Sequence, residues 1–390
     1  MRILIINYEF PPLGGGGGIA SYQMGKELVK KHRVEVLTSG YKDLPRSEEK
    51  DGLIIHRVPV LQRDSLFTAS LLSIGSFIPS SIKRGFSLLK NEKFDIIHSY
   101  FAFPSGITGV ILSRHFKIPH ITTIIGGEII GSTRYKGERA SLGIQLIPFK
   151  TAIFKWLLLW VLQNSKKIAI SNDVANGVYD YLKTSLDIKI IPLSVQIPYF
   201  QKKTREELGF SKDDFLIVSV CRLVKRKGLD YLIQAVSSLR DKRIKILIIG
   251  DGIEKQNLLQ LAKKLDISDQ VIFLGFLTEE VKFQYLSISD IFILTSLHEG
   301  FGIVYLEGMS CGLPVIASDN GGQTDFIIEG ENGFLIPVAD VDKLSQRIIE
   351  LIENKELRDK ISEVNIKKAQ EFSITKEAQK YEEIYKSVLG

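Results

Sequence analysis

Glu299 and Glu307, separated by seven residues within TSLHEGFGIVYLEGMSCGLPVIASDNGG (295–322), are the first side chains whose type and spacing could do chemistry. A strand-like run ends near Ser296, a glycine-bearing turn follows, and helical residues begin near Gly302. The amides of Gly302, Ile303 and Val304 then fall at the start of the predicted helix, where unsatisfied N–H groups and the helix dipole favour a phosphate. Glu307 lies on the same helical face as Ile303 and Val304, and Glu299 sits in the turn ahead of them. One carboxylate can address a sugar and the other ribose hydroxyls. Taken alone, Glu307 would as readily be a solvated helix residue.

A second block, VCRLVKRKGLDYLIQAV (220–236), places Arg222 and Lys227 just past a strand end. Cations there can close on a diphosphate and stabilise its departure, work that a metal would otherwise do. Gly250 and Gly252 of IIGDGIEKQNL (248–258) permit close backbone approach, though an isolated GDG is by default a turn. In the first half, PPLGGGGGIA (11–20) follows a strand and opens a helix, so its amides can crowd an anion or an acceptor. It lacks the G-x-G-x-x-G spacing and the later acidic residue of a dinucleotide fingerprint.

The string from Glu299 to Gly322 resembles the donor signature of glycosyltransferase family 4, a retaining family of the GT-B fold, and further blocks match in order over nearly the full chain. The resemblance implies that Glu299, Arg222 and Lys227 act in catalysis. It implies that Glu307, Gly302, Ile303, Val304, Gly250, Gly252 and Leu277 (in GFLTEEV, 275–281) hold the donor. It implies acceptor or sugar contacts for Gly15, Gly16, His98 and Tyr100 (in DIIHSYFAFPSG, 95–106) and Glu128 (in TTIIGGEII, 122–130). Three positions depart from the family pattern: Cys221 stands for a glycine, Tyr100 for a second histidine, and Asp325 for a glutamate.

These residues need elements to position them. Short apolar or β-branched runs occur at 2–8, 32–39, 53–59, 95–100, 120–126 and 167–173, then at 214–221, 244–251, 270–275, 290–296, 313–319 and 333–337, each followed by a helix-length segment. Continuous apolar runs are strands buried on both faces, and strand–helix alternation predicts parallel sheets. The expected fold is therefore α/β: two doubly wound, Rossmann-like domains facing a cleft, with ligands at the strands' carboxyl ends. The proline-bearing stretch IPLSVQIPYFQKKT marks the boundary. The predicted organisation is an acceptor-binding domain over 1–197, a nucleotide-sugar-binding domain over 198–370, and a helix over 371–390 returning to the first.

Composition narrows the class. The opening MRILIINY reads as a strand rather than a leader, and the longest strongly apolar run, 156–162, is far short of a spanning helix. Two cysteines, Cys221 and Cys311, cannot build a disulfide framework or a multi-cysteine metal site, so the expectation is a cytoplasmic chain. Residues 1–200 carry 25 Lys and Arg against 15 Asp and Glu, whereas 201–390 carry 26 against 30. With no aromatic-interleaved basic stripe, that basic half suits an anionic membrane face better than nucleic acid. Two segments fit such a face, FIPSSIKRGFSLLK (77–90) and FKTAIFKWLLLWVLQ (149–163), although both also read as helices packed on a sheet.

The combined reading is a retaining transfer from a UDP- or GDP-sugar to a glycan, lipid-linked or small-molecule acceptor, with no metal or other cofactor, in cell-surface polysaccharide or glycolipid synthesis. Two alternatives share parts of the pattern. One is a nucleotide-sugar epimerase of the same fold; the other is an inactive sugar-nucleotide-binding scaffold.

Overall fold

The computed structural model describes residues 1–63, 66, 69–127 and 152–390. The chain divides into two units, Met1–Ser194 with Ile374–Gly390, and Val195–Ser373. The breaks expected after 197 and 370 lie instead after Ser194 and Ser373. Their position has a local cause: Val195 and Ser373 form an isolated parallel bridge, and the Val195 N–H donates to the Phe372 carbonyl at 2.9 Å.

The first unit contains β1 (Arg2–Asn7), β2 (Arg33–Ser39), β3 (Ser47–Lys50), β4 (Leu53–Val58), β5 (Ile96–Tyr100), β6 (His120–Ile124), β7 (Lys166–Ala169) and β8 (Ile188–Ile190). Their order is β3-β4-β2-β1-β5-β6-β7-β8, parallel except for β3 against β4. Among the described residues its helices are α1 (Gly16–Leu28), α2 (Leu71–Asn91), α3 (Ser105–Phe116), α4 (Ala152–Gln163), α5 (Asn172–Leu182) and the C-terminal helix Ile374–Leu389. Ser70 and Ser171 start α2 and α5 by accepting from the Ser73 and Val174 amides. The C-terminal helix inserts Ala378, Tyr381, Ile384 and Tyr385 into the core formed by Ile3, Ile5, Phe10 and Met24.

The two helices considered for a membrane face differ. In α2 the apolar side turns inward: Phe77 is fully buried, Gly85 abuts Leu112, and the Phe86 ring meets His115 and Phe116. The membrane reading of 77–90 is corrected accordingly, because α3 already covers that side. In α4, Phe154, Leu158, Val161 and Leu162 are buried, while Ile153 and Trp156 remain 72% and 61% exposed. No helix among the described residues is long and apolar enough to cross a membrane.

The second unit contains β9 (Phe215–Val220), β10 (Ile244–Ile249), β11 (Val271–Gly275), β12 (Ile291–Leu294), β13 (Val315–Ser318) and β14 (Gly333–Ile336). All pair in parallel in the order β11-β10-β9-β12-β13-β14. Its helices are α6 (Leu229–Leu239), α7 (Lys255–Lys264), α8 (Glu279–Ile288), α9 (Ile303–Ser310), α10 (Val341–Glu353) and α11 (Lys355–Glu371). The strand order reverses between β9 and β12, so the loops leaving these two strands diverge from one switch point, where open α/β sheets bind ligands. Those loops carry Arg222–Lys227 and Glu299.

Candidate active site

The two loops at the switch point are stitched together by their backbones. Leu297 N–H donates to the Arg226 carbonyl at 2.8 Å, and Thr295 Oγ1 donates to the Gly228 carbonyl at 2.7 Å. Gly228 has φ +61°, and a Cβ there would stand 2.2 Å from the Thr295 carbonyl oxygen, so the approach needs glycine. This clamp brings the Lys227 ammonium onto Glu299 Oε1, an ion pair in which both side chains are about nine-tenths buried. Ser296 Oγ donates to the same oxygen at 2.6 Å, and the Arg226 guanidinium stands 3.8 Å away while donating to the His298 carbonyl. Gly321 and Gly322 fix the main chain of Glu299: the Gly322 N–H donates to its carbonyl at 2.9 Å, and a Cβ on Gly321 would lie 2.2 Å from that oxygen.

The electrostatics follow from this geometry. Burial pushes the Glu299 carboxyl up, but Lys227 and Arg226 outweigh it and hold the group down at about 2. Burial lowers the Lys227 ammonium, opposed by Glu299. Glu299 is therefore an anion at neutral pH, able to accept hydrogen bonds from hydroxyls and unable to donate a proton.

Just beyond, Gly302 caps α9 at φ +85°, where a Cβ would strike the Tyr305 ring at 2.6 Å. Gly302, Ile303 and Val304 are half-buried at this helix end. Glu307, one turn further, is 7% exposed. Its Oε1 accepts from Lys282 Nζ at 2.9 Å, and its Oε2 is buried with no partner among the described residues. Burial raises the Glu307 carboxyl, opposed by Lys282.

Arg222 is exposed in the loop after β9, beside Cys221, whose thiol burial pushes up to about 12. Gly250 and Gly252 serve that same loop. A Cβ on Gly250 would lie 1.9 Å from the Cys221 carbonyl oxygen, and one on Gly252 2.4 Å from that of Leu223. The close approach expected of them is made by protein backbone. Leu277 is half-buried ahead of α8, next to Phe276, which is 80% exposed.

In the first unit, Gly15 and Gly16 open α1 with nothing within 4 Å of a notional Cβ, and the Gly15 N–H donates to Glu9 Oε2 at 3.1 Å. The loop thus holds an internal carboxylate. His98 and Tyr100 require a correction. Both are fully buried in β5; His98 bonds Tyr385 and Thr123 at 2.8 Å each, and Tyr100 stacks against the His98 ring. The C-terminal helix covers them, so as they stand neither reaches an acceptor. Glu128 lies outside the described residues.

Ser296, Arg226 and Gly321 contact Glu299, and Lys282 contacts Glu307; sequence reasoning missed all four. The first three were visible inside quoted blocks, whereas Lys282, in an ordinary helical EEVKF, carries no local signal. Among the described residues no group of three or more His, Cys, Asp or Glu gathers to hold a metal.

Comparison with known proteins places this geometry. Residues 200–368 match the family described as Glycosyl transferases group 1, and residues 14–197 match Glycosyltransferase Family 4. The N-acetyl-alpha-D-glucosaminyl L-malate synthase of Bacillus anthracis is 27% identical over 391 residues, 97% of this chain and 95% of its own. The alpha-monoglucosyldiacylglycerol synthase of Streptococcus pneumoniae is 25% identical, over 82% of this chain and 71% of its own. HepE from Anabaena, solved in complex with UDP, shares the fold with a TM-score of 0.78 at 20% identity, over 99% of this chain and 100% of its own. The epimerase and scaffold readings are set aside by these matches. The chain is a glycosyltransferase of family 4, an enzyme of the GT-B fold.

Proposed function

We propose that this enzyme takes its sugar from a UDP- or GDP-sugar and transfers it with retention of anomeric configuration, using no metal or other cofactor. The observation that carries the reading is the ionised Glu299, gripped by Lys227 and Ser296 just ahead of the amino end of α9. A fixed anion beside a helix N-terminus separates two tasks. Glu299 accepts hydrogen bonds from sugar hydroxyls, and the amides of Gly302, Ile303 and Val304 face the diphosphate. Lys227 has three donors, so its bond to Glu299 leaves capacity for a diphosphate oxygen, and exposed Arg222 can close from the same loop. Glu307 Oε2 takes the ribose hydroxyls, and Leu277 borders the base. With charge supplied in this way, the diphosphate leaves from the face on which the acceptor attacks, and its oxygen takes the acceptor's proton.

The acceptor is a glycan, a lipid-linked species or a small molecule, met by the Gly15–Gly16 loop and Glu128 of the first unit. By their names, the two relatives above make a glucosaminyl malate and a monoglucosyl diacylglycerol. The exposed Ile153 and Trp156 of α4 and the basic first half support action at an anionic membrane face, from the cytoplasmic side. Such a place suits synthesis of cell-surface polysaccharide or glycolipid.

The test is turnover of UDP- and GDP-sugars in excess chelator, with the anomeric configuration of the product, or of the sugar first released to water, read by NMR. Retention with undiminished rate is expected. Inversion, or loss of activity rescued by manganese or magnesium, contradicts the proposal.

A further inference from the structure

Lysine is almost never fully buried unless paired, and Lys282 in α8 is 7% exposed. Its ammonium meets Glu279, one turn earlier on the same helix, at 2.8 and 3.0 Å, and Glu307 of α9 at 2.9 Å. Pairing with Glu279 alone would leave the lysine at the surface, because that carboxylate is 57% exposed. The side chain is instead turned inward onto one oxygen of Glu307, and the other oxygen is left buried and without a partner among the described residues. A carboxylate accepts at both oxygens, so half of this one is occupied and half is open.

We infer that Lys282 is a positioning residue of the donor site, holding Glu307 as an anion by its Oε1 so that Oε2 is presented to the ribose hydroxyls. This rests on the donor reading above. The groups acting on the Glu307 carboxyl come from one neighbouring helix. Burial raises the carboxyl most, Lys282 favours its ionisation against that burial, and Glu279 opposes it. Burial alone would depress the Lys282 ammonium, but Glu307 and Glu279 outweigh it and leave it raised. At the C-cap of α9 the Cys311 thiol, pushed up to about 11 mainly by burial, is neutral. Lys202 acts on that thiol, and α11, packed across α9, buries Ile361, Asn365 and Ala369.

The device therefore has two opposite handles. Removing Lys282 makes Glu307 easier to protonate, and removing the Glu279 charge makes it harder. Calorimetric titration of the full chain with UDP and with GDP, from pH 5 to 8, reads both. For the tighter diphosphate, Lys282→Gln is expected to weaken binding about tenfold and to move the acid limb of the profile up by about one pH unit. Lys282→Arg is expected to restore most of the affinity, and Glu279→Gln to move the acid limb down. A structural role alone would change melting without moving these limbs in opposite directions. Wild-type affinity and limb in Lys282→Gln, alongside lost binding in Glu307→Gln, overturns the inference and leaves the donor reading intact. Unchanged binding in Glu307→Gln overturns the donor reading itself. If Lys282→Gln fails to fold, Glu279→Gln decides, and an acid limb that stays put or rises counts against the proposal.

Discussion

Two buried carboxylates, one in each unit, show what separates a site from a core. Glu299 in the second unit is enclosed among Lys227, Arg226 and Ser296, and these hold it at about 2 despite burial. Glu377 in the first unit is enclosed as deeply and accepts from the Ser194 N–H at 2.9 Å, and burial outweighs Ser194 and Lys380 to push it up to about 7. Beside it, Tyr100, Tyr381 and Tyr385 surround His98, which burial and then His120 depress to about 3. Around Glu299 the second unit buries charge with its counter-charge. Around Glu377 and His98 the first buries polar groups in neutral form, although elsewhere it too pairs a buried charge, Glu35 with Arg2 and His56.

The comparison breaks most visibly at the ion pair. Glu299→Ala is expected to lower kcat about 100- to 1000-fold, the scale of losing a preorganised electrostatic contact, while Lys227→Ala strips a buried carboxylate of its nearest cation, leaving Arg226 at 3.8 Å, and costs about 3 kcal/mol in denaturant unfolding. If Lys227→Ala melts like the wild type, the charge at this site is not buried as described.

Glu377 gives the contrary pH signature. Between its ordinary value of 4.5 and about 7, the folded chain holds a proton that the unfolded chain has released. Stability contributed by this group is present at low pH and falls as pH rises through that window, by on the order of 3 kcal/mol. Glu299, depressed from 4.5 to about 2, contributes stability that is present above 4.5 and lost as pH falls toward 2. Glu377→Gln should flatten the decline in unfolding free energy between pH 5 and 7.5, and an unaltered slope would refute the assignment.

His98→Gln is expected to cost about 1–3 kcal/mol in stability through its lost bonds to Tyr385 and Thr123, with kcat/KM of the folded enzyme within about threefold. A 100-fold loss of kcat without loss of stability would return His98 to the chemistry. The smallest effect belongs to α4. Flotation should show binding to anionic vesicles that fades with salt, at about 1 kcal/mol per surface cation, and Trp156→Ser should weaken it. Indifference to anionic vesicles at low salt would leave a soluble acceptor.

Much of this was legible before any coordinates. Every apolar run read as a strand contains one, because strands buried on both faces are continuously apolar, though the run at 167–173 leaves its strand at Ala169 and enters α5 at Asn172. The strands missed are β3, whose SEEK is polar and formed by edge pairing with β4, and the three-residue β8. Glu299 and Glu307 were readable because turn, helix start and carboxylate spacing lie in one local string. His98 and Tyr100 misled because the helix that covers them arrives nearly 300 residues later, with Tyr385 Oη bonded to His98 across 287 positions. Lys282 was invisible for a related reason, since its partner Glu307 is 25 residues away on another helix.

The central claim, a nucleoside-diphosphate-sugar site around the amino end of α9, is tested most directly by thermal unfolding across a panel of UDP- and GDP-sugars. A ligand bound only by the folded state stabilises it by about 2.7 kcal/mol at one hundred times its Kd. The account predicts that one of these sugars raises the wild-type Tm, and that the rise shrinks in both Glu307→Gln and Arg222→Ala. A panel in which no sugar shifts the wild type, or a shift that survives unchanged in both variants, would contradict it.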